Sequence, residues 1–370
     1  MIMKTTEARK IRYVLSFSEP AGTSRGVLTE RPTWFLELSR AGVGAVGECA
    51  VFPGLSCDDV PDYADLLEDL CRRINGGQDV EPEEYAAYPS IRFGLETAIL
   101  RLDAAEKGSE MLSSDFTAGK DSVPVNGLVW MGTLERMMSR IKEKVDAGYA
   151  CIKIKIGAIN FDDELSMLAY IRREFTEKDL ELRVDANGAF SPSDALERLK
   201  RLSEFSLHSI EQPLRAGQRE ETARLCALSP VPVALDEELI GVNRPQEKKK
   251  LIEDIRPQYI VLKPSLTGGY AASKEWMDVA GEAGAGYWVT SALESNVGLD
   301  AIARFAYMHN TGIAQGLGTG GLYTNNVPYP FAIRGGRFSM TGKVPGADSV
   351  AGFLSGGNTP PVKQDFYHGK

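Results

Sequence analysis

The stretch Cys151-Ile152-Lys153-Ile154-Lys155-Ile156-Gly157 decides how the rest of the chain is read. A β-strand sends alternate side chains to opposite faces, so Lys153 and Lys155 share one face and Ile152, Ile154 and Ile156 the other. Alone, the pattern describes a half-exposed strand with isoleucines inward and lysines in water. Its neighbours change that reading. Short apolar runs follow, each ending in an ionisable residue: Asp185 in LRVDAN, Glu211 in SIEQP, Asp236 in VALDEE and Lys263 in IVLKP. Counted from Lys155, the steps are 30, 26, 25 and 27 residues.

That period is the period of alternating strands and helices. From residue 125, VNGLVWMG precedes the helical pattern TLERMMSRIKEKVDAG. Six further strand-helix pairs run to VGLDAIARFAYMH, and AQGLGTG closes the series. Eight short apolar strands in this rhythm predict an α/β fold, a (β/α)7β-type TIM barrel over residues 121–325 without a last full helix. An open doubly wound sheet is the alternative, but the Gly-rich phosphate turn it usually carries after its first strand is not visible.

Upstream, IRYVLSF, TWFLELSR and AVGECAV read as strands. Two helices follow, DVPDYADLLEDLCRRIN with a start signal at Asp58 and Asp59, and EPEEYAAYPSIRFGLETAILRLDAAEKG. Strands followed by helices predict an α+β capping domain over residues 1–120, joined to the barrel through Ser113–Asp121. The tail, 326–370, holds IRGGRFSM, and the β character of RFSM predicts that it packs back on the capping domain.

Composition bounds the chemistry. A 370-residue chain with 43% hydrophobic and 25% charged residues is that of an ordinary globular protein. With 42 basic against 51 acidic residues and no long basic run, nucleic acid is not an expected partner. Five scattered cysteines without a C-x-x-C pair fit free thiols in a reducing compartment. The amino terminus lacks a signal-peptide core and no apolar run approaches the roughly 20 residues of a membrane span, so a cytoplasmic protein with no membrane partner is expected. Nothing in the composition sets an oligomeric state. Only three histidines are present, which leaves acid-base work to lysine and carboxylate.

In a barrel the functional site lies at the carboxyl ends of the strands, where these ionisable residues fall. Singly, each carboxylate reads as a strand-end cap or an ion-pair partner. Together, Asp185, Glu211 and Asp236 would repel one another unless a hard divalent cation lay among them, and Mg2+ suits that donor set, with Mn2+ as a substitute. Lys153 and Lys155 flank the group on one side and Lys263 on the other. An ammonium beside a metal ion and other cations is disfavoured, which would leave Lys155 able to take a proton from a carbon next to a substrate carboxylate. Coordination of that carboxylate would stabilise the resulting enediolate, so a small-molecule carboxylate is the expected substrate.

Other positions carry two readings. The connections Pro20–Gly26 and Gly47–Ser56 are surface loops or lids, and as a lid the first would supply Ser24 or Arg25. Arg183 shares the face of Asp185 and either binds a substrate carboxylate or forms an ion pair inside the barrel. Ser291, Glu294, Gly316 and Gly318 lie at the last two strand ends, where small residues leave room for substrate or make tight turns. Alternation points Glu237 away from the interior; it could still support the ligands from beside the site or, in a shifted register, replace Asp236. Ala292 is assigned no contact.

K-x-K on the second strand, D-x-N on the third, E-Q-P on the fourth, D-E on the fifth and K-P on the sixth resemble the muconate-lactonizing subgroup of the enolase superfamily. Within it, PAGTSRGVLTERPTWFLEL, GECAVFPGLS, LKPSLTGG and TSALESNVGLDAIA resemble the o-succinylbenzoate synthases of menaquinone biosynthesis, over most of residues 10–325. The resemblance implies a Mg2+-dependent syn loss of water from 2-succinyl-6-hydroxy-2,4-cyclohexadiene-1-carboxylate. It implies Lys155 as base and then acid, Lys263 as a stabilising cation across the ring, Lys153 as holder of a ligating carboxylate, and Asp185, Glu211 and Asp236 as metal ligands. An N-acylamino acid racemase or dipeptide epimerase would use the same residues, with Lys155 and Lys263 exchanging protons on opposite faces. A non-catalytic barrel predicts loss of a ligand or a lysine, and none is lost.

Overall fold

The computed structural model describes residues 6–23 and 26–356. It opens with an antiparallel sheet of β1 (Thr6–Thr23), β2 (Gly26–Arg40) and β3 (Val43–Cys49), in that order. Alternation along β2 decides what each face meets. Leu36 and Leu38 pack on α1 (Tyr63–Asn75) and α2 (Pro89–Glu106) through Leu67, Leu70, Ile91 and Leu95. Phe35, on the opposite face, joins the main core of the molecule.

Two local expectations are corrected here. The long second helical pattern is divided at Pro89: a 3-10 turn over Pro82–Tyr85 precedes α2, and the proline occupies its first residue, where a missing N–H costs no intrahelical hydrogen bond. Asp58 is not a start signal for α1. Its Oδ2 accepts from the Ser90 amide at 2.8 Å and the Ser90 hydroxyl at 2.6 Å, at the start of α2.

Beyond β4 (Ser122–Pro124) come seven parallel strands whose order in the sheet follows their order in the chain. They are β5 (Gly127–Val129), β6 (Cys151–Lys155), β7 (Glu181–Asp185), β8 (Ser209–Glu211), β9 (Val233–Leu235), β10 (Tyr259–Leu262) and β11 (Gly286–Val289). The intervening helices are α3 (Leu134–Asp146), α4 (Phe161–Glu174), α5 (Ala195–Leu202), α6 (Arg219–Leu228), α7 (Pro245–Ile255), α8 (Pro264–Thr267), α9 (Gly269–Glu282) and α10 (Asn296–Met308). AQGLGTG forms no ladder of its own. Gln315 instead bridges Val125 and Gly316 bridges Thr290, so one short segment bonds to both edges of the sheet and the sheet is curled. Ile152 and Ile154 lie in the main core, while Ala234, Val261 and Trp288 form a separate small cluster.

The tail divides in two. Strands β12 (Phe331–Arg334) and β13 (Arg337–Met340) form a hairpin, and β13 pairs with β4 through Phe338 and Val123. RFSM therefore extends the entry to the parallel sheet rather than the amino-terminal sheet, because β4 offers it a free edge next to Phe116, whose ring lies 6.0 Å from Phe338. The last helix, α11 (Ala347–Ser355), packs against β1 and β3. All five cysteines are free thiols. Among the described residues no helix is long and apolar enough to cross a membrane.

Candidate active site

Parallel pairing sets the site. Lys155 stands opposite Asp185 and Asp185 opposite Glu211, while Asp236 and Lys263 follow the last residues of β9 and β10. Lys155 Nζ lies 2.6 Å from Asp185 Oδ2. Lys153 Nζ lies 2.8 Å from the same oxygen and 2.6 Å from both oxygens of Glu211. Lys263 Nζ lies 2.5 Å from Asp236 Oδ2. The row therefore reads Lys155, Asp185, Glu211, Asp236, Lys263, with a lysine at each end and Lys153 bridging the first two carboxylates. The three carboxylates are 0%, 1% and 2% exposed.

Burying three anions together costs free energy unless their charge is answered. Burial by itself would raise the Asp185 carboxyl, but Lys153 and Lys155 overcome it and hold the group well below the ordinary range. Glu211 goes the other way: burial and then the charge of Asp185 push it up, with Lys153 only partly opposing them. Burial likewise works against the charges of Lys153 and Lys263, yet the facing carboxylates raise both. Negative charge thus remains incompletely balanced at Glu211.

That imbalance fits a cation among the carboxylates. Three buried oxygen donors on successive strand ends are the donor set of a hard divalent ion. As arranged here the oxygens are turned onto ammonium groups, and among the described residues no three His, Cys, Asp or Glu side chains already enclose a common point. Residues of the right chemistry are therefore present, three carboxylates from neighbouring strand ends, each engaged by a lysine.

Two residues join the row that the alternation argument did not place there. Asn187 has a left-handed backbone, φ 43°, and its amide donates to Asp185 Oδ1 at 3.0 Å. Its side-chain oxygen accepts from Lys155 Nζ at 2.6 Å and its Nδ2 donates to Glu237 Oε1 at 2.9 Å. The D-x-N spacing held this signal. Of the readings open for Glu237, strict alternation fails: β9 ends at Leu235 and a 3-10 turn begins at Glu237, so Glu237 faces the site beside Asp236. Burial and the Asp236 charge raise its carboxyl.

Above the row lies a cavity of about 900 Å3, counting its mouth. Its polar side includes Lys153, Lys155, Lys263, Asn187 and Glu237, and its apolar side includes Phe52, Leu55, Trp130, Trp288 and Leu293. Ser291, Ala292, Gly316 and Gly318 also line it, whereas Glu294 stays behind the wall, accepting from the Ala292 amide at 2.8 Å. The Ser291 hydroxyl is engaged by Thr319 at 2.7 Å. Gly316 is small for packing as well as for room, since a Cβ there would meet Thr290 Oγ1 at 2.0 Å. Arg183 is not a wall residue: 1% exposed, it reaches Glu181 at 2.6 Å and the Ala314 carbonyl at 2.8 Å and stacks on Trp288 at 4.5 Å. The interior ion pair is thus its place, one strand step below Asp185. Ser24 and Arg25 lie outside the described residues. Phe52, Leu55 and Trp130 had no polar chemistry to mark them, although the first two fall in the Gly47–Ser56 connection.

The Enolase C-terminal domain-like family profile matches residues 136–347. An o-succinylbenzoate synthase from Desulfotalea psychrophila is 46% identical over 361 residues, 89% of this chain and 98% of that one. The chain belongs to the o-succinylbenzoate synthase family. The crystal structure of MenC from Desulfotalea psychrophila LSv54 superposes with a TM-score of 0.81 at 42% identity, covering 91% of this chain and 100% of that chain. An N-succinylamino acid racemase from Amycolatopsis sp is similar at 27% identity, over 91% of this chain and 93% of its own length. The o-succinylbenzoate synthase family lies in the enolase superfamily, whose enzymes generally use a divalent metal.

Proposed function

We propose that this protein is an o-succinylbenzoate synthase, a lyase that removes water from 2-succinyl-6-hydroxy-2,4-cyclohexadiene-1-carboxylate in menaquinone biosynthesis, in the cytoplasm. The observation that carries the reading is the row of three buried carboxylates ended by Lys155 and Lys263 beneath a largely apolar cavity. The 46% identity to a synthase over nearly its full length supports the same substrate. In this reading residues 121–325 are a closed barrel, residues 1–120 a capping domain, and 326–370 a tail that packs back on the capping domain.

Asp185, Glu211 and Asp236 would hold Mg2+, or Mn2+ in its place. The ion would supply positive charge opposite the substrate carboxylate as that group becomes electron-rich. Lys155, as the neutral amine, removes the proton from the ring carbon that bears the carboxylate. The same ammonium then gives that proton to the hydroxyl on the adjacent carbon; the C–O bond breaks, water leaves, and the ring becomes aromatic. One lysine serves both steps because the two departing groups share a face. Lys263 faces the other side of the ring and stabilises its negative charge, through space and by a cation–π contact. Lys153 keeps Asp185 and Glu211 in place, which its three short contacts support.

Purified protein given Mg2+ and the cyclohexadiene substrate should generate the aromatic absorbance of o-succinylbenzoate. A folded, Mg2+-loaded protein that turns over an N-succinylamino acid and not the cyclohexadiene would replace the synthase reading with a racemase.

A further inference from the structure

Glu48 is a carboxylate from the amino-terminal sheet buried at the start of a helix that belongs to the parallel sheet. It lies on β3 and is 0% exposed. Its Oε1 accepts from the Ser295 amide at 3.0 Å and the Thr33 hydroxyl at 2.8 Å, and Oε2 accepts from the Ser295 hydroxyl at 2.5 Å and the Gly298 amide at 3.0 Å. Ser295 is the N-cap of α10, and Gly298 is the third residue of that helix. Glu48 thus takes donors that the first turn of α10 would otherwise leave unsatisfied, at the end where a negative charge is favoured. Gly298 is part of the fit: a Cβ there would meet Glu48 Oε2 at 2.8 Å.

The segment just before α10 is the cavity wall. Ser291, Ala292 and Leu293 line the cavity, and Leu293 is held at φ 65°, a conformation that costs free energy for a residue with a side chain. Its amide donates to Ser291 Oγ at 3.0 Å and its carbonyl accepts from Tyr323 at 2.7 Å. Two residues on, the chain is pinned by Glu48. On the sheet side, Arg31 approaches Glu48 at 3.5 Å, donates to the Ala50 carbonyl at 3.0 Å and lies 5.5 Å from the ring of Phe52, another wall residue. One buried carboxylate therefore connects the Phe52 wall to the Leu293 wall.

We infer that Glu48 is a positioning residue for substrate: it fixes the amino-terminal sheet against the strained Ser291–Ser295 segment and so sets the width of the apolar cavity. The inference rests on the reading of that cavity as the substrate site. It separates binding from chemistry, because Glu48 touches neither Lys155 nor any carboxylate of the row.

Glu48→Gln keeps the shape but turns an amide toward two of the donors. The expected result is a rise in KM for the cyclohexadiene substrate of about tenfold with kcat within about twofold of the parent, the signature of lost binding that is equal in ground and transition states. A milder pair, Thr33→Val and Ser295→Ala, removes one donor from each side. Their KM effects should be non-additive in the double variant, as for groups that share one partner. If Glu48→Gln does not fold, the milder pair decides. Unchanged KM in the folded variants, with only the melting temperature lowered, overturns the inference. Absence of turnover in the parent protein would instead remove the assigned substrate.

Discussion

Lys155 Nζ lies 2.6 Å from the side-chain oxygen of Asn187, a residue whose backbone turns left-handed at the end of β7. The same amide group donates to Glu237 at 2.9 Å, so its orientation is set from the far side and its oxygen is aimed at the lysine. Asn187→Ala should leave Lys155 chemically intact but free to swing. A displacement of about 1 Å at a reacting group can cost about a hundredfold, so kcat should fall roughly tenfold to a hundredfold with KM within about threefold. Steady-state kinetics on the variant checks this, and a change confined to KM would argue against an orienting role.

Lys155→Ala should remove both proton transfers. A positioned general base contributes about 10²–10⁴ in rate, and because one amine serves twice the loss should reach the upper end. Lys263→Ala should also abolish elimination, yet it should leave exchange of the ring proton with deuterated solvent detectable through Lys155. NMR of recovered substrate in D2O distinguishes the two variants. Equal exchange in both would show that Lys155 is not the base.

The strand ends were legible because each ended on an ionisable residue at barrel spacing, and inward direction follows from alternation as far as the strand persists. Asp185 and Glu211 sit inside β7 and β8 and obey that rule. Glu237 lies where β9 has already given way to a 3-10 turn, so no rule of period two applied to it. Arg183 was legible in direction but not in depth: one strand step below Asp185 already meets Glu181 and Trp288 rather than the cavity. The apolar wall was the least legible part, since Phe52, Leu293 and Trp130 carry ordinary core side chains whose role depends on contacts distant in sequence. Asp58 shows the same limit, serving a helix 31 residues beyond it rather than the one next to it.

Removing divalent cations should abolish turnover, and Mg2+ should restore it. The metal-free protein should also show a characteristic pH dependence. Glu211 is raised in the folded state by burial and by Asp185, so above the ordinary glutamate range, about 4.3, the folded chain retains a proton that the unfolded chain has released. Stability therefore falls as pH rises, until the folded carboxyl has itself ionised. Urea midpoints in chelator should drop between about pH 5 and pH 8, and Glu211→Gln should flatten the slope. Mg2+ at about a hundred times its dissociation constant should add about 2.7 kcal/mol. A midpoint that rises with pH in chelator would contradict the charge imbalance assigned to Glu211.

Arg183 separates a substrate contact from an interior ion pair by experiment. Its guanidinium is buried against Trp288, with Glu181 at 2.6 Å and the Ala314 carbonyl at 2.8 Å, and the cavity wall does not include it. Lysine in its place keeps the charge but loses the planar fork that reaches both partners and the flat face that stacks on the indole. Breaking a fully buried pair costs about 3–5 kcal/mol, and Glu181 keeps 36% of its side-chain surface exposed. Arg183→Lys should therefore destabilise by less, on the order of 2 kcal/mol. KM for the cyclohexadiene substrate should stay within about twofold, because no hydrogen bond to substrate is removed. Thermal melts and steady-state kinetics on the same preparation decide it: a large rise in KM with an unchanged melt would return Arg183 to the substrate site.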